Sequence, residues 1–200
     1  MLHLRLSQLN HNEALRVAVE ALQEGKVVAY PTETFYGLGV KYDNNVALRC
    51  LYTLKNRPAE KPFPLIIGHM QQLDTLATDI TELHRDLMIK HWPGPLTILF
   101  EAARGLSPYI AGTNNKVAIR IPAESFALEL ARTATFAITA TSANPSDMPP
   151  SSRASEVLSY FGSGIDVIID GGNTSGELPS TLVDVTGGAI RVLRQGRVII

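Results

Sequence analysis

Strand-like and helix-like patterns alternate along most of this chain, after which strand-like runs finish it with no helix between them. Few folds accept that order. Alternation requires strands that share a sheet with helices packed on it, and a closing run of strands adds antiparallel neighbours. The pattern therefore predicts an α/β fold: one domain over 1–200, with its core from about residue 8, a twisted mixed parallel and antiparallel sheet, and flanking helices. Leu15, Ala18, Val19 and Leu22 place a helix over 12–24 that stops at Gly25, and 26–30 reads as a strand ending at Pro31. Further helices are predicted over 45–55, near 125–132 and over 152–161, with two more within 70–92. Strands are predicted over 64–68, 96–100, 117–121 and 136–139, then over 166–169, 181–185, 189–193 and 197–199.

Composition removes several function classes. With 45% hydrophobic and 18% charged residues, the chain is globular rather than disordered. The single cysteine, Cys50, excludes an internal disulfide and a cysteine-based zinc site. It reads as a buried structural thiol in a reducing, cytoplasmic setting. No apolar run approaches the ~20 residues that span a bilayer, and no secretory signal is inferred. A net charge of -1 argues against a protein built to coat nucleic acid.

Lys55, Arg57 and Lys61 put three cations within seven residues, on a connector stiffened by Pro58 and Pro62. Cations held in place can grip a polyanion; the plainer reading is a charged helix end followed by a loop. The familiar nucleotide and hydrolase motifs are missing. There is no G-x-x-x-x-G-K-[ST], no H-E-x-x-H and no G-x-S-x-G, and Gly37-Leu38-Gly39 lacks a third fingerprint glycine. The five histidines do not form a metal-binding set. Instead, small hydroxyl and amide side chains gather at strand ends: Thr32 and Thr34, then 141–146 with Ser142 and Asn144, then Ser180 and Thr181. Open α/β sheets bind ligands just beyond strand ends, although such residues also serve turns. Arg120 stands inside a strand pattern, where a charge needs a partner or an edge facing water, and Arg194 repeats the situation. Together these residues outline an anion pocket fed by Lys55, Arg57, Lys61, Arg120 and Arg194, suited to a phosphorylated or carboxylated small ligand.

Six segments, in order, resemble the YrdC-like family of threonylcarbamoyl-AMP synthases. They are Tyr30-Pro31-Thr32-Glu33-Thr34-Phe35-Tyr36-Gly37-Leu38-Gly39, Lys55-Asn56-Arg57-Pro58 with Lys61, and Trp92-Pro93-Gly94-Pro95-Leu96-Thr97. Val117-Ala118-Ile119-Arg120-Ile121-Pro122, Thr141-Ser142-Ala143-Asn144 and Ser180-Thr181-Leu182-Val183-Asp184 complete the set. The resemblance implies a nucleotidyltransferase that joins L-threonine, bicarbonate or CO2, and ATP, releasing pyrophosphate. Its product, threonylcarbamoyl-AMP, serves tRNA modification. By the same resemblance, Lys55 and Arg57 are the catalytic pair, and Lys55, Arg57, Lys61, Ser142, Asn144, Ser152 and Arg194 contact ATP. Thr34, Arg120, Ser142 and Ser180 hold threonine. Mg²⁺ would arrive with ATP rather than at a dedicated protein site. Direct tRNA binding and partner proteins of tRNA modification are further implications, and no membrane association is.

Two departures stand out: Ser146-Asp147 where the family often has Ser-Gly, and Ile66-Ile67 near a place where some members carry a threonine-site histidine. A non-catalytic, RNA-binding paralogue is the alternative reading. A third is a sugar-phosphate enzyme, because a related fold serves dihydroxybutanone-phosphate synthesis, although that chemistry calls for acidic metal ligands.

Overall fold

The computed structural model describes residues 1–58 and 61–200; Ala59 and Glu60 of the basic connector lie outside the described residues. In chain order the elements begin with β1 (Leu2–Arg5), α1 (His11–Gln23), β2 (Val28–Pro31), β3 (Tyr36–Gly39), α2 (Asn45–Lys55) and β4 (Leu65–Ile66). A 3₁₀ stretch (Met70–Thr75) leads into β5 (Ala77–Thr78), α3 (Glu82–His91), β6 (Leu96–Ala102), α4 (Pro108–Ala111), β7 (Lys116–Arg120) and α5 (Phe126–Ala134). The chain ends through β8 (Ile138–Thr139), β9 (Thr141–Ser142), α6 (Ala154–Phe161), β10 (Val167–Asp170), β11 (Thr181–Asp184) and β12 (Arg191–Arg194).

The fold is α/β with mixed pairing, as the alternation predicts, but among the described residues the strands divide between two sheets. One runs β1-β10-β2-β3-β9; the other runs β12-β11-β6-β7-β4-β8, with β5 added against β6. Alternation along β2 shows how the layers form. Val28 and Tyr30 face α1 and α5, while Ala29 faces the larger core shared with the second sheet. Helix α1 buries Ala14, Leu15, Ala18, Ala21 and Leu22 at helical spacing against that first face. It ends as read, before Gly25 at φ +78°, a left-handed position that glycine adopts without strain. Helix α2 starts where the Asn44 side chain accepts a hydrogen bond from the Ala47 N–H at 3.1 Å.

Several local expectations are corrected. Tyr36–Gly39 is a strand although its two glycines disguise it; a Cβ at Gly39 would lie 2.8 Å from the Tyr30 ring and 2.7 Å from Ile138. Those bare positions let β3 lie under the buried Tyr30 ring of its neighbour. Residues 197–199 form no strand, because the Thr181 hydroxyl takes the place of a ladder partner for Val198. The first of the two helices expected within 70–92 is the 3₁₀ stretch, and β1, β5 and α4 were not foreseen. Cys50 is exposed, not buried: the inward face of α2 is Ala47, Leu48, Leu51, Tyr52 and Lys55, which leaves position 50 off the stripe. No described helix is long and apolar enough to cross a membrane.

Gly68, just after β4, carries α5 on its bare face. A Cβ there would lie 2.5 Å from the Arg132 N and Cα and 2.6 Å from the Ala131 carbonyl carbon, all of them helix backbone. Gly68→Ala must push α5 off the sheet and should lower stability by about 1–3 kcal/mol. Urea denaturation measures this; an unchanged midpoint would show that the helix yields freely.

Candidate active site

Ladder register brings four separated side chains to one edge of the second sheet. Leu96 pairs with Thr181, Ile98 with Ile119, and Leu182 with Arg194. The start of β6, the end of β7, the residue before β11 and the end of β12 therefore lie side by side, carrying Thr97, Arg120, Ser180 and Arg194. From the first sheet come Thr34, in the loop after β2, and Ser142, on β9. All six line a cavity of about 760 Å³, which Arg57 and Lys61 of the basic connector also reach.

The polar groups of this cavity are mostly fixed before any ligand arrives. Arg194 donates from Nε and Nη2 to the Ser180 carbonyl at 3.2 and 2.9 Å, and from Nη2 to its hydroxyl at 3.1 Å. That hydroxyl also meets the Thr97 Oγ1 at 2.9 Å. Arg57 donates to the carbonyls of Lys61 at 2.7 Å and Pro62 at 2.9 Å, and lies 5.0 Å above the Phe63 ring. Thr32 and Thr34 join hydroxyls at 3.0 Å. Burial, then the charges of Arg120 and Arg57, push the Arg194 guanidinium below its ordinary pKa; burial does the same to Arg57. These cations thus face one another and backbone carbonyls. Among the described residues, the one carboxylate bonded to the three arginines is Glu33, on Arg120, and both side chains of that pair are only 8% exposed.

The predicted site residues fall into two groups. Thr34, Arg57, Lys61, Arg120, Ser142, Ser180 and Arg194 line the cavity, with Lys61, Ser142 and Arg194 exposed. Lys55, Asn144 and Ser152 do not; they stand behind the wall. Lys55 is 2% exposed, and its Nζ donates to the Ser142 and Asn144 carbonyls, while its own carbonyl accepts from the Ser146 N–H at 2.9 Å. Asn144 donates to the carbonyls of Pro145 and Met148 at 2.9 and 2.6 Å, leaving its buried Oδ1 without a partner among the described residues. The Ser152 N–H donates to Glu156 at 2.6 Å, and its carbonyl accepts from the Thr174 N–H at 2.9 Å. Ile66 and Ile67 are core residues, off the cavity wall.

Sequence reasoning missed Glu33, Thr97 and Lys116. Lys116 shares a strand face with Ala118 and Arg120 and bonds Asp184 at 2.9 Å. Its two-residue spacing was the available signal. Among the described residues, no three His, Cys, Asp or Glu side chains gather as metal ligands would.

Comparison with known proteins agrees with the fold and extends it. The Sua5/YciO/YrdC family model, described as Telomere recombination, matches residues 20–196. A threonylcarbamoyl-AMP synthase from Pyrococcus abyssi is 38% identical over 91% of this chain and 54% of its own length. The chain thus spans about half of that relative. One of the same name from Enterobacter sp. is 36% identical over 86% of this chain and 90% of its own. The crystal structure of P. abyssi Sua5 complexed with L-threonine superposes with a TM-score of 0.90 at 36% identity, covering 98% of this chain and 57% of that one.

The Lys55 brace makes a pH prediction. Burial, and then Arg57, lower its pKa to about 7, against an unfolded value of about 10.4. Between those values the unfolded chain holds more protons, so this group's contribution makes stability rise with pH across that window and level off below it. Thermal denaturation of Lys55→Met should lack that rise; parallel pH profiles for variant and parent would place the Lys55 pKa elsewhere.

Proposed function

The chain belongs to the Sua5/YciO/YrdC family, and from that premise we propose that it is an L-threonylcarbamoyl-AMP synthase. It condenses L-threonine, CO2 or bicarbonate, and ATP, and releases pyrophosphate; the product is the activated group for adenosine modification in tRNA. The observation that carries this reading is the meeting of Arg57, Arg120 and Arg194 on one cavity, with Glu33 the single carboxylate bonded to them among the described residues.

An amino-acid carboxylate suits Arg120, whose guanidinium offers two parallel donors, with Thr34, Ser142 and Ser180 presenting short neutral groups nearby. The triphosphate suits the side with Arg57, Lys61 and Arg194. Lys55, Asn144 and Ser152 act on the nucleotide by fixing the loop that carries Ser142. Mg²⁺ enters with ATP as part of the substrate; Glu177 is the one carboxylate among the described lining residues, while Glu33 and Asp184 stand off the wall, bonded to Arg120 and Lys116. The threonine amine attacks the carbon of CO2, forming an N–C bond and releasing a proton to give a carbamate. A carbamate oxygen then attacks the α-phosphorus, and the bond to the pyrophosphate oxygen breaks, with pyrophosphate leaving with the electron pair. No protein nucleophile is required. The chain supplies positioning and fixed positive charge near the phosphate oxygens, where exclusion of water strengthens each contact.

Pyrophosphate release from ATP, L-threonine and bicarbonate, with the adenylate identified by mass spectrometry, tests the reading. Arg57→Ala should cut the rate on the order of a hundredfold while its circular dichroism stays that of the parent. If the parent forms no pyrophosphate at any Mg²⁺ concentration yet binds tRNA tightly, the chain is an RNA-binding member instead. Arg120→Ala should raise the KM for L-threonine well above any change in the KM for ATP; equal increases would remove Arg120 from the carboxylate.

A further inference from the structure

Glu33 lies between Thr32 and Thr34, which line the cavity, yet is not itself on the wall. Its side chain is turned inward, is 8% exposed, and bonds Arg120 through Oε1. Its other oxygen, Oε2, is buried and has no partner among the described residues. A carboxylate buried for one contact carries a desolvation cost that nothing else in its surroundings offsets. That contact is therefore what its placement serves.

The bond falls on one corner of the guanidinium. Glu33 takes Nη1, while Nε and Nη2 have no acceptor among the described residues. Nε and Nη2 form the edge whose two N–H bonds run parallel, the edge that matches a carboxylate oxygen for oxygen. Arg194 uses that same pair on the Ser180 carbonyl, so its fork is already engaged. Arg120 is the arginine whose fork is open, on a residue 7% exposed that lines the cavity.

Backbone contacts hold Glu33 independently of its side chain. Its carbonyl accepts from Ser175 Oγ at 2.9 Å and from Arg197 Nη1 at 2.8 Å, and the neighbouring Thr34 carbonyl accepts from the Gly176 N–H at 2.9 Å. The loop that presents Glu33 is thus tied to the segment before β11 and to the chain after β12.

We infer that Glu33 is a positioning residue: it pins Nη1 of Arg120 so that the Nε–Nη2 edge faces the cavity, aimed at the carboxylate of the amino-acid substrate. This rests on the synthase reading above. A guanidinium on a long, freely rotating stem would offer the same charge without the aim, and ordering it would be charged against binding.

Two variants test the inference by steady-state kinetics in the full chain. Glu33→Ala removes the pin but leaves the backbone anchors, and should raise the KM for L-threonine about tenfold while the KM for ATP stays within about twofold. Glu33→Gln keeps an oxygen able to accept from Nη1 and should return the threonine KM to within about threefold of the parent. A merely structural role would instead move both KM values, or the active fraction, together. Unchanged threonine KM in both variants, parallel increases for both substrates, or a Gln variant no better than Ala would each overturn the assignment. A parent protein that makes no pyrophosphate with L-threonine removes the synthase reading and this one with it. An active parent with indifferent Glu33 variants removes this one alone.

Discussion

Thr139 belongs to one sheet and is bonded into the other. It lies on β8, paired with Leu65 of β4, yet its N–H donates to the Val40 carbonyl at 3.0 Å and its hydroxyl accepts from the Val40 N–H at 3.0 Å. Its carbonyl accepts from the Tyr30 hydroxyl at 2.9 Å, deep under α5. Two residues later the chain has entered β9, on the first sheet, with only Ala140 between the strands. That short crossing forces the two sheets to abut here, and the abutment sets the cavity. Thr34 and Ser142 come to it from one sheet, Arg120, Ser180 and Arg194 from the other. Buried backbone and hydroxyl groups left unpaired at such a seam would be costly, so the bonds of Thr139 fix the seam as well as cross it.

Electrostatically, the seam gathers positive charge. Arg57, Arg194 and Lys55 are all depressed in pKa, with burial the largest cause in each case. Carbonyl oxygens accept the hydrogen bonds of Arg57 and Arg194 without cancelling their charge. A carboxylate partner would neutralise a cation; a carbonyl satisfies its donors and leaves the field in place. Glu33 is the exception, and it takes one corner of one guanidinium. Phosphate and carboxylate oxygens brought into this space meet oriented donors that need little rearrangement.

Where residue chemistry is local, the sequence was easily read. Gly25 ends α1, and the periodic apolar stripe of α1 faces the core as its spacing requires. Most of the strands followed from short apolar runs. β3 did not, because Gly37 and Gly39 answer to the ring of Tyr30 on the neighbouring strand, a contact that no local pattern carries. The division into two sheets was hidden for the same reason, since the crossing at Ala140 is visible only once pairing is known. At the site, Arg120 was legible as a charge needing a partner, but Glu33 was not, because 87 residues separate the two. Lys116 was within reach, on the same strand face as Arg120.

The residues behind the wall change what a motif in this cavity means. Lys55 and Arg57 are two positions apart at the end of α2, yet one turns into the protein and the other toward the cavity. Asn56 between them has φ +48°, a left-handed turn that ends the helix and sends the next residue out along a new direction. The spacing therefore couples a contact to its support. Lys55 holds the carbonyls of Ser142 and Asn144, and the same loop presents the Ser142 side chain to the space Arg57 borders. In the synthase reading proposed above, a change at Lys55 would reach the ligand through the loop, whereas a change at Arg57 would reach it directly. Close sequence neighbours in such a motif need not share a role; here the fold requires that they differ.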